Sequence, residues 1–145
     1  MFRFIFIFVT MIWMPFGAVA EEFNVGDLTI SSLRAFETSP TARAAGGYLT
    51  IENNGTTDDQ LIEVQADFPR VMIHETVETD GVARMQHVDM IQIPAGGAVV
   101  LEPGGLHVMF MGLSGTPFVT GEPVSATLVF EKAGTIDVVF DIIAR

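Results

Sequence analysis

Residues 71–91 read VMIHETVETDGVARMQHVDMI, a stretch with one tight-turn signal at its middle. β-Branched residues (Val71, Ile73, Thr76, Val77, Thr79) crowd the first half, which favours an extended chain over a helix. Asp80-Gly81 is a strong two-residue hairpin signal, because both positions of such a turn need positive φ. Residues 71–78 and 82–91 are therefore expected to pair as antiparallel strands. With Thr79 facing Val82, paired residue numbers sum to 161. His74 then faces His87, and Thr76 faces Met85, which makes Met85 a diagonal neighbour of His74. A slip of two residues would put Met85 opposite His74 and keep the same face.

Outward from this hairpin the pattern repeats. Leu28–Ser32, Tyr48–Glu52, Leu61–Ala66, Ala98–Leu101, Leu106–Leu113, Val124–Glu131 and Ile136–Ile143 read as further short strands. Turns are expected at Asn53-Asn54-Gly55, Pro94–Gly97, Pro103-Gly104-Gly105 and Ala133-Gly134. No segment after Ala20 keeps a helical period. Eight or nine short strands at this spacing predict an all-β, antiparallel sandwich or barrel of one domain. Residues 35–45 are the least regular and read as a loop. The Gly-Gly pairs open no helix and precede no Lys-Ser/Thr, so they read as turns and not as phosphate loops.

The first twenty residues, MFRFIFIFVTMIWMPFGAVA, stand apart. Arg3 precedes an apolar run, Pro15 and Gly17 break it, and Ala18-Val19-Ala20 is a signal-peptidase pattern. A cleaved secretory signal over residues 1–20 is expected, leaving an exported domain over 21–145 with no membrane span. Phe4–Ala20 is at the short limit for an uncleaved anchor. The 145 residues hold seven Lys+Arg against eighteen Asp+Glu, a formal charge of −11. That charge argues against nucleic acid. There is no cysteine, so disulfides, thiolate metal sites, cysteine nucleophiles, blue-copper centres and a cysteine-linked lipid anchor are excluded for these residues.

Beyond the signal, the methionines are Met72, Met85, Met90, Met109 and Met111, and the histidines are His74, His87 and His107. All eight fall between residues 72 and 111. Residues i and i+2 of a strand share a face. Met72 shares one with His74, Met85 with His87, and Met109 with His107 and Met111. Met90 has the opposite parity and is expected in the core. For Met72 and Met111, packing and a supporting role beside a metal weigh equally. His74, Met85, His107 and Met109 form a candidate soft-metal set. Thioethers are soft and neutral, whereas Ca²⁺ and Mg²⁺ take oxygen and Zn²⁺ takes thiolate, imidazole or carboxylate. A His/Met set selects Cu(I). No G-x-S-x-G elbow or placed carboxylate pair suggests an enzyme. Asp89 and Glu75 are candidates to orient a histidine.

The spacing His74-x10-Met85-x21-His107-x-Met109 resembles the motif of the PCuAC family of periplasmic copper chaperones. Gly47–Gly55, Ile93–Gly97, Leu101–Gly105, Phe110–Leu113 and Phe130–Gly134 resemble further blocks of that family. The resemblance implies a cupredoxin-like β-sandwich in which His74, Met85, His107 and Met109 each donate to one Cu(I). It implies a monomeric periplasmic carrier supplying copper for cytochrome c oxidase assembly, with the oxidase's copper subunit or a Sco-type protein as partner. Copper storage or detoxification is the alternative, ahead of a copper enzyme or a metal-free interaction domain. His87 is not required by the motif and is expected to be an exposed side chain, ahead of a fifth, alternative or Cu(II)-state ligand. No His/Met-rich tail follows the final strand, so no second copper site is expected.

Overall fold

The computed structural model describes residues 21–145; the expected signal, residues 1–20, lies outside them. The described residues form eleven strands: β1 (Phe23–Val25), β2 (Leu28–Phe36), β3 (Ala44–Asn53), β4 (Asp59–Gln65), β5 (Arg70–Thr79), β6 (Val82–His87), β7 (Ile91–Ile93), β8 (Ala98–Leu101), β9 (Leu106–Met111), β10 (Val124–Phe130) and β11 (Gly134–Ile143). No helix among the described residues is long and apolar enough to cross a membrane.

Hydrogen bonding links the strands in the order β6-β5-β9-β3-β2-β11-β10-β4-β7, with β1 on β2 and β8 on β3. Their inner faces share one core. Phe110 and Phe140, with Leu28, Ile30, Leu49, Ile51, Leu61, Ile93, Leu101 and Leu128, are fully buried there. Phe110 meets the rings of Phe68, Phe118 and Phe140 edge-on or tilted, at centroid distances of 5.4–5.5 Å, a favoured aromatic geometry. Gly47 makes that packing possible, since a Cβ there would stand 2.8 Å from the Phe110 ring.

Two sequence features set the layering. Before Ser32 the even residues Leu28 and Ile30 face inward, and after it the odd residues Leu33 and Ala35 do. The pairing of β2 with β3 shifts between Ser31 and Arg34, and Ser32 takes φ 56°. This bulge lets one strand keep its apolar side inward while its parity changes. β11 pairs antiparallel with β10 as far as Val124↔Phe140. Beyond the end of β10, residues Asp141–Ile143 run parallel to Arg34–Phe36 of β2. The expected wholly antiparallel arrangement therefore gains one short parallel join, because β11 outruns its hairpin partner.

The expected strand over residues 82–91 divides. β6 pairs with β5, whereas β7 pairs with β4. Residues 88–90 cross between the two, and the Val88 N–H donates to the Ile73 carbonyl on the way. Met90 sits in this crossing and is 46% exposed, so its expected place in the core is wrong. Parity within a strand says nothing about a residue beyond the strand's end. The expected loop is also shorter, since β2 continues to Phe36 and β3 begins at Ala44.

Candidate metal centre

The hairpin of β5 and β6 supports the site. Asp80 and Gly81 have φ of 52° and 75°, the left-handed pair that matches strand twist. The register follows: Thr79↔Val82, Thr76↔Met85 and His74↔His87. On the other side, β5 pairs with β9 through Met72↔Met109 and His74↔His107. Ile73, Val108 and Phe110 point into the core. Alternation then puts Met72, His74, Met85, His87, His107, Met109 and Met111 on the opposite, outer face.

His74 is the centre of this face. Its ring centroid lies 6.0 Å from that of His107 and 6.1 Å from that of His87. Met85 is its diagonal neighbour on one side along the strand, and Met109 on the other. Diagonal neighbours lie about 7–8 Å apart at the backbone, within reach of long side chains. The structure thus brings His74 and His107 directly together and sets a thioether at each flank. Met85 is 60% exposed, on an edge strand whose every residue is exposed. Met109 is half-buried.

Burial and hydrogen bonding set how the two imidazoles present themselves. His107 is 4% exposed, and its Nδ1 lies 3.0 Å from the Gly105 carbonyl oxygen. A carbonyl only accepts, so Nδ1 carries the proton and the neutral ring presents the Nε2 lone pair. Among the described residues that Nε2 is buried without a hydrogen-bond partner, and so is Nδ1 of His74. Burial holds the His74 pKa below the ordinary 6.5, and the charges His107 and His87 would carry push it the same way.

The Gly105 carbonyl was invisible in the sequence because it is a backbone atom. It also accepts from the Thr76 N–H at 3.0 Å, tying the β9 turn to β5. Of the two carboxylates expected to orient a histidine, one meets an imidazole and the other does not. Asp89 lies 3.2 Å from Nε2 of the exposed His87, and Glu75 accepts from the Gln86 amide at 3.3 Å. Among the described residues, no three His, Cys, Asp or Glu side chains form a metal-holding group. An ion held by His74 and His107 would complete its shell from thioethers, and a neutral donor set of that kind suits a soft monovalent cation.

Known proteins carry the same framework. The family model described as "Putative lipoprotein LpqE-like" matches residues 28–142. "Putative lipoprotein Lxx21020" of Leifsonia xyli subsp. xyli (strain CTCB07) is 41% identical over 66 residues, covering 45% of this chain but only 39% of that relative. Among solved structures, the apo PCuAC domain of PmoF1 is 27% identical with a TM-score of 0.74, covering 86% of this chain and 100% of that one. The copper-bound PCuAC domain of PmoF2 is 28% identical with a TM-score of 0.72, covering 86% and 99%. The Cu(I) form of DR1885 from Deinococcus radiodurans is 28% identical with a TM-score of 0.63, covering 86% and 82%. The expected cupredoxin-like sandwich is the fold observed. Matched along nearly all of β2 to β11, the chain belongs to the LpqE-like family and has the fold of the PCuAC domains.

Proposed function

We propose that the chain is an exported copper carrier, with residues 1–20 as a cleaved signal and 21–145 as one monomeric periplasmic domain. His74, Met85, His107 and Met109 hold one Cu(I), which is passed on for assembly of the cytochrome c oxidase copper site. The recipient is the oxidase's copper subunit or a Sco-type protein. One observation carries this reading: two buried imidazole nitrogens on facing residues have no hydrogen-bond partner among the described residues. Leaving a polar group buried and unpaired costs about 1–3 kcal/mol. A soft cation between the rings would satisfy both nitrogens. The copper-bound PmoF2 domain and Cu(I)-DR1885, similar to this chain, support copper as that cation.

The chemistry is that of a carrier. Four neutral donors leave the bound ion its single positive charge, and the chain's acidity favours approach of basic partners. Met85, exposed on the edge strand, is the donor that an incoming thiolate or imidazole reaches first. Exchange proceeds from that side while the buried His107 lets go last. The test is Cu(I) competition against a chromophoric chelator. His107→Ala and Met109→Ala should each weaken binding at least about tenfold, or ~1.4 kcal/mol. Unchanged affinity in both would remove the site. If the site holds, a deletion strain that keeps full oxidase activity at limiting copper would reassign the protein from delivery to storage.

A further inference from the structure

The outer face carries more soft ligand than one site uses. Met72 faces Met109 directly across β5 and β9, and Met111 follows Met109 by two on the same face. All three are half-buried. None belongs to the core or packs against it, since Ile73, Val108 and Phe110 fill that space from the other side of the same strands. On the β3 side, Met109 faces Gly46 and Met111 faces Ala44, so no large side chain at those positions crowds the thioethers. The Tyr48 side chain lies over Gly46, with its hydroxyl 2.6 Å from where a Cβ there would stand, and walls that side.

We propose that Met72, Met109 and Met111 form a second position for a soft monovalent cation, Cu(I) or Ag(I), adjoining His74 and His107. Directly opposed residues have Cβ atoms about 4.5–5.5 Å apart, and diagonal pairs about 7–8 Å. Three flexible thioethers at those separations can turn their sulfurs to a common point. Three neutral sulfurs suit a soft ion and reject hard ones. Arg70 faces Met111 on the same strand pair, and its positive charge makes this the weaker of the two positions. Met109 is common to both, so an ion resting on the methionines is one ligand exchange from the imidazoles. The inference uses the Met109 of the proposed copper site but rests on the methionine geometry, which does not need the histidines.

The probe is Ag(I), followed by NMR on protein labelled with ¹³C at the methionine methyls. In His74→Ala/His107→Ala, one equivalent should shift the methyls of Met72, Met109 and Met111 and leave Met85 and Met90 unmoved. Adding Met72→Leu and Met111→Leu should abolish the shift. No shift, or equal shifts at all five, overturns the proposal. A second arm keeps both histidines, in case their loss unfolds the sheet. Past the first equivalent, the Met111 methyl should move in the parent and not in Met72→Leu; movement in both, or in neither, overturns the proposal. Failure of the His/Met site would appear separately, as unchanged affinity in His107→Ala and Met109→Ala.

Discussion

His74 and His107 stand opposite each other on neighbouring strands, their ring centroids 6.0 Å apart and their planes at 83°. Each has one buried ring nitrogen without a partner among the described residues. Burial and the two neighbouring imidazoles hold the His74 pKa below 6.5. In the unfolded chain His74 takes up its proton near that ordinary value, before the folded protein does. Stability is therefore complete above about pH 6.5 and is lost as pH falls from there through the lower folded value. Urea unfolding of metal-free protein should show this loss, and His74→Gln should flatten it. A loss of the same size in His74→Gln would refute the assignment.

The Gly105 carbonyl fixes how His107 presents itself. With Nδ1 donating at 3.0 Å, the neutral ring should be the Nδ1–H tautomer in the metal-free protein, which leaves Nε2 free for a metal. Nitrogen-15 shifts of the His107 ring distinguish the two tautomers directly. An Nε2–H ring at neutral pH would contradict the arrangement and remove the unpaired Nε2 lone pair.

How far the sequence reached follows from the kind of rule each feature obeys. Local rules read well. Asp80-Gly81 set the hairpin register to the residue, and alternation put His74, Met85 and His87 on one face. Features decided by long-range pairing did not read. Met90 looked like core because residues 82–91 looked like one strand, yet the chain leaves β5 after His87 and joins β4 at Ile91. The Ser32 bulge shows in the sequence only as a change in apolar parity from Leu28 and Ile30 to Leu33 and Ala35. That β9 would dock on β5 with His107 opposite His74 was written in no local signal. It depends on Ile73, Val108 and Phe110 finding the same core.

The two methionines of the proposed site should differ in weight. Met109 is half-buried between β5 and β3, whereas Met85 is 60% exposed on the edge. An exposed thioether gives up more side-chain freedom and is more readily replaced by water or a partner's ligand. Met109→Ala should weaken Cu(I) binding by about a hundredfold, near 2.7 kcal/mol, and Met85→Ala by about tenfold. Stopped-flow transfer to a chelator should be faster from Met85→Ala. Slower transfer would show that the edge methionine is not the donor released first.

His87 is the third imidazole of the row, but its surroundings differ. Its side chain is 48% exposed, and Nε2 lies 3.2 Å from Asp89. Solvent screens that pair, so it adds little stability. His87→Ala should leave Cu(I) affinity within about threefold of the parent, under 1 kcal/mol. A loss matching that of His107→Ala in the same competition titration would make His87 a ligand.

Asp59, on β4, secures the turn between β10 and β11. It is 5% exposed, and its Oδ1 accepts from the backbone N–H groups of Gln60 and Lys132 while Oδ2 accepts from that of Ala133. Burial alone would raise its pKa, yet these three donors and the Lys132 charge outweigh it and leave the carboxyl below 3.8. Its contribution is thus fully present above pH 3.8 and lost as pH falls through the lower folded value. Asp59→Ala leaves three N–H donors near the β10–β11 turn without their acceptor and should cost about 2–4 kcal/mol. Asp59→Asn keeps one acceptor oxygen and should cost less. Because His74 and His107 are positioned by β5 and β9, Cu(I) affinity in both variants should match the parent while urea midpoints fall. A parallel drop in affinity would mean that β5 and β9 do not hold their geometry independently of that turn.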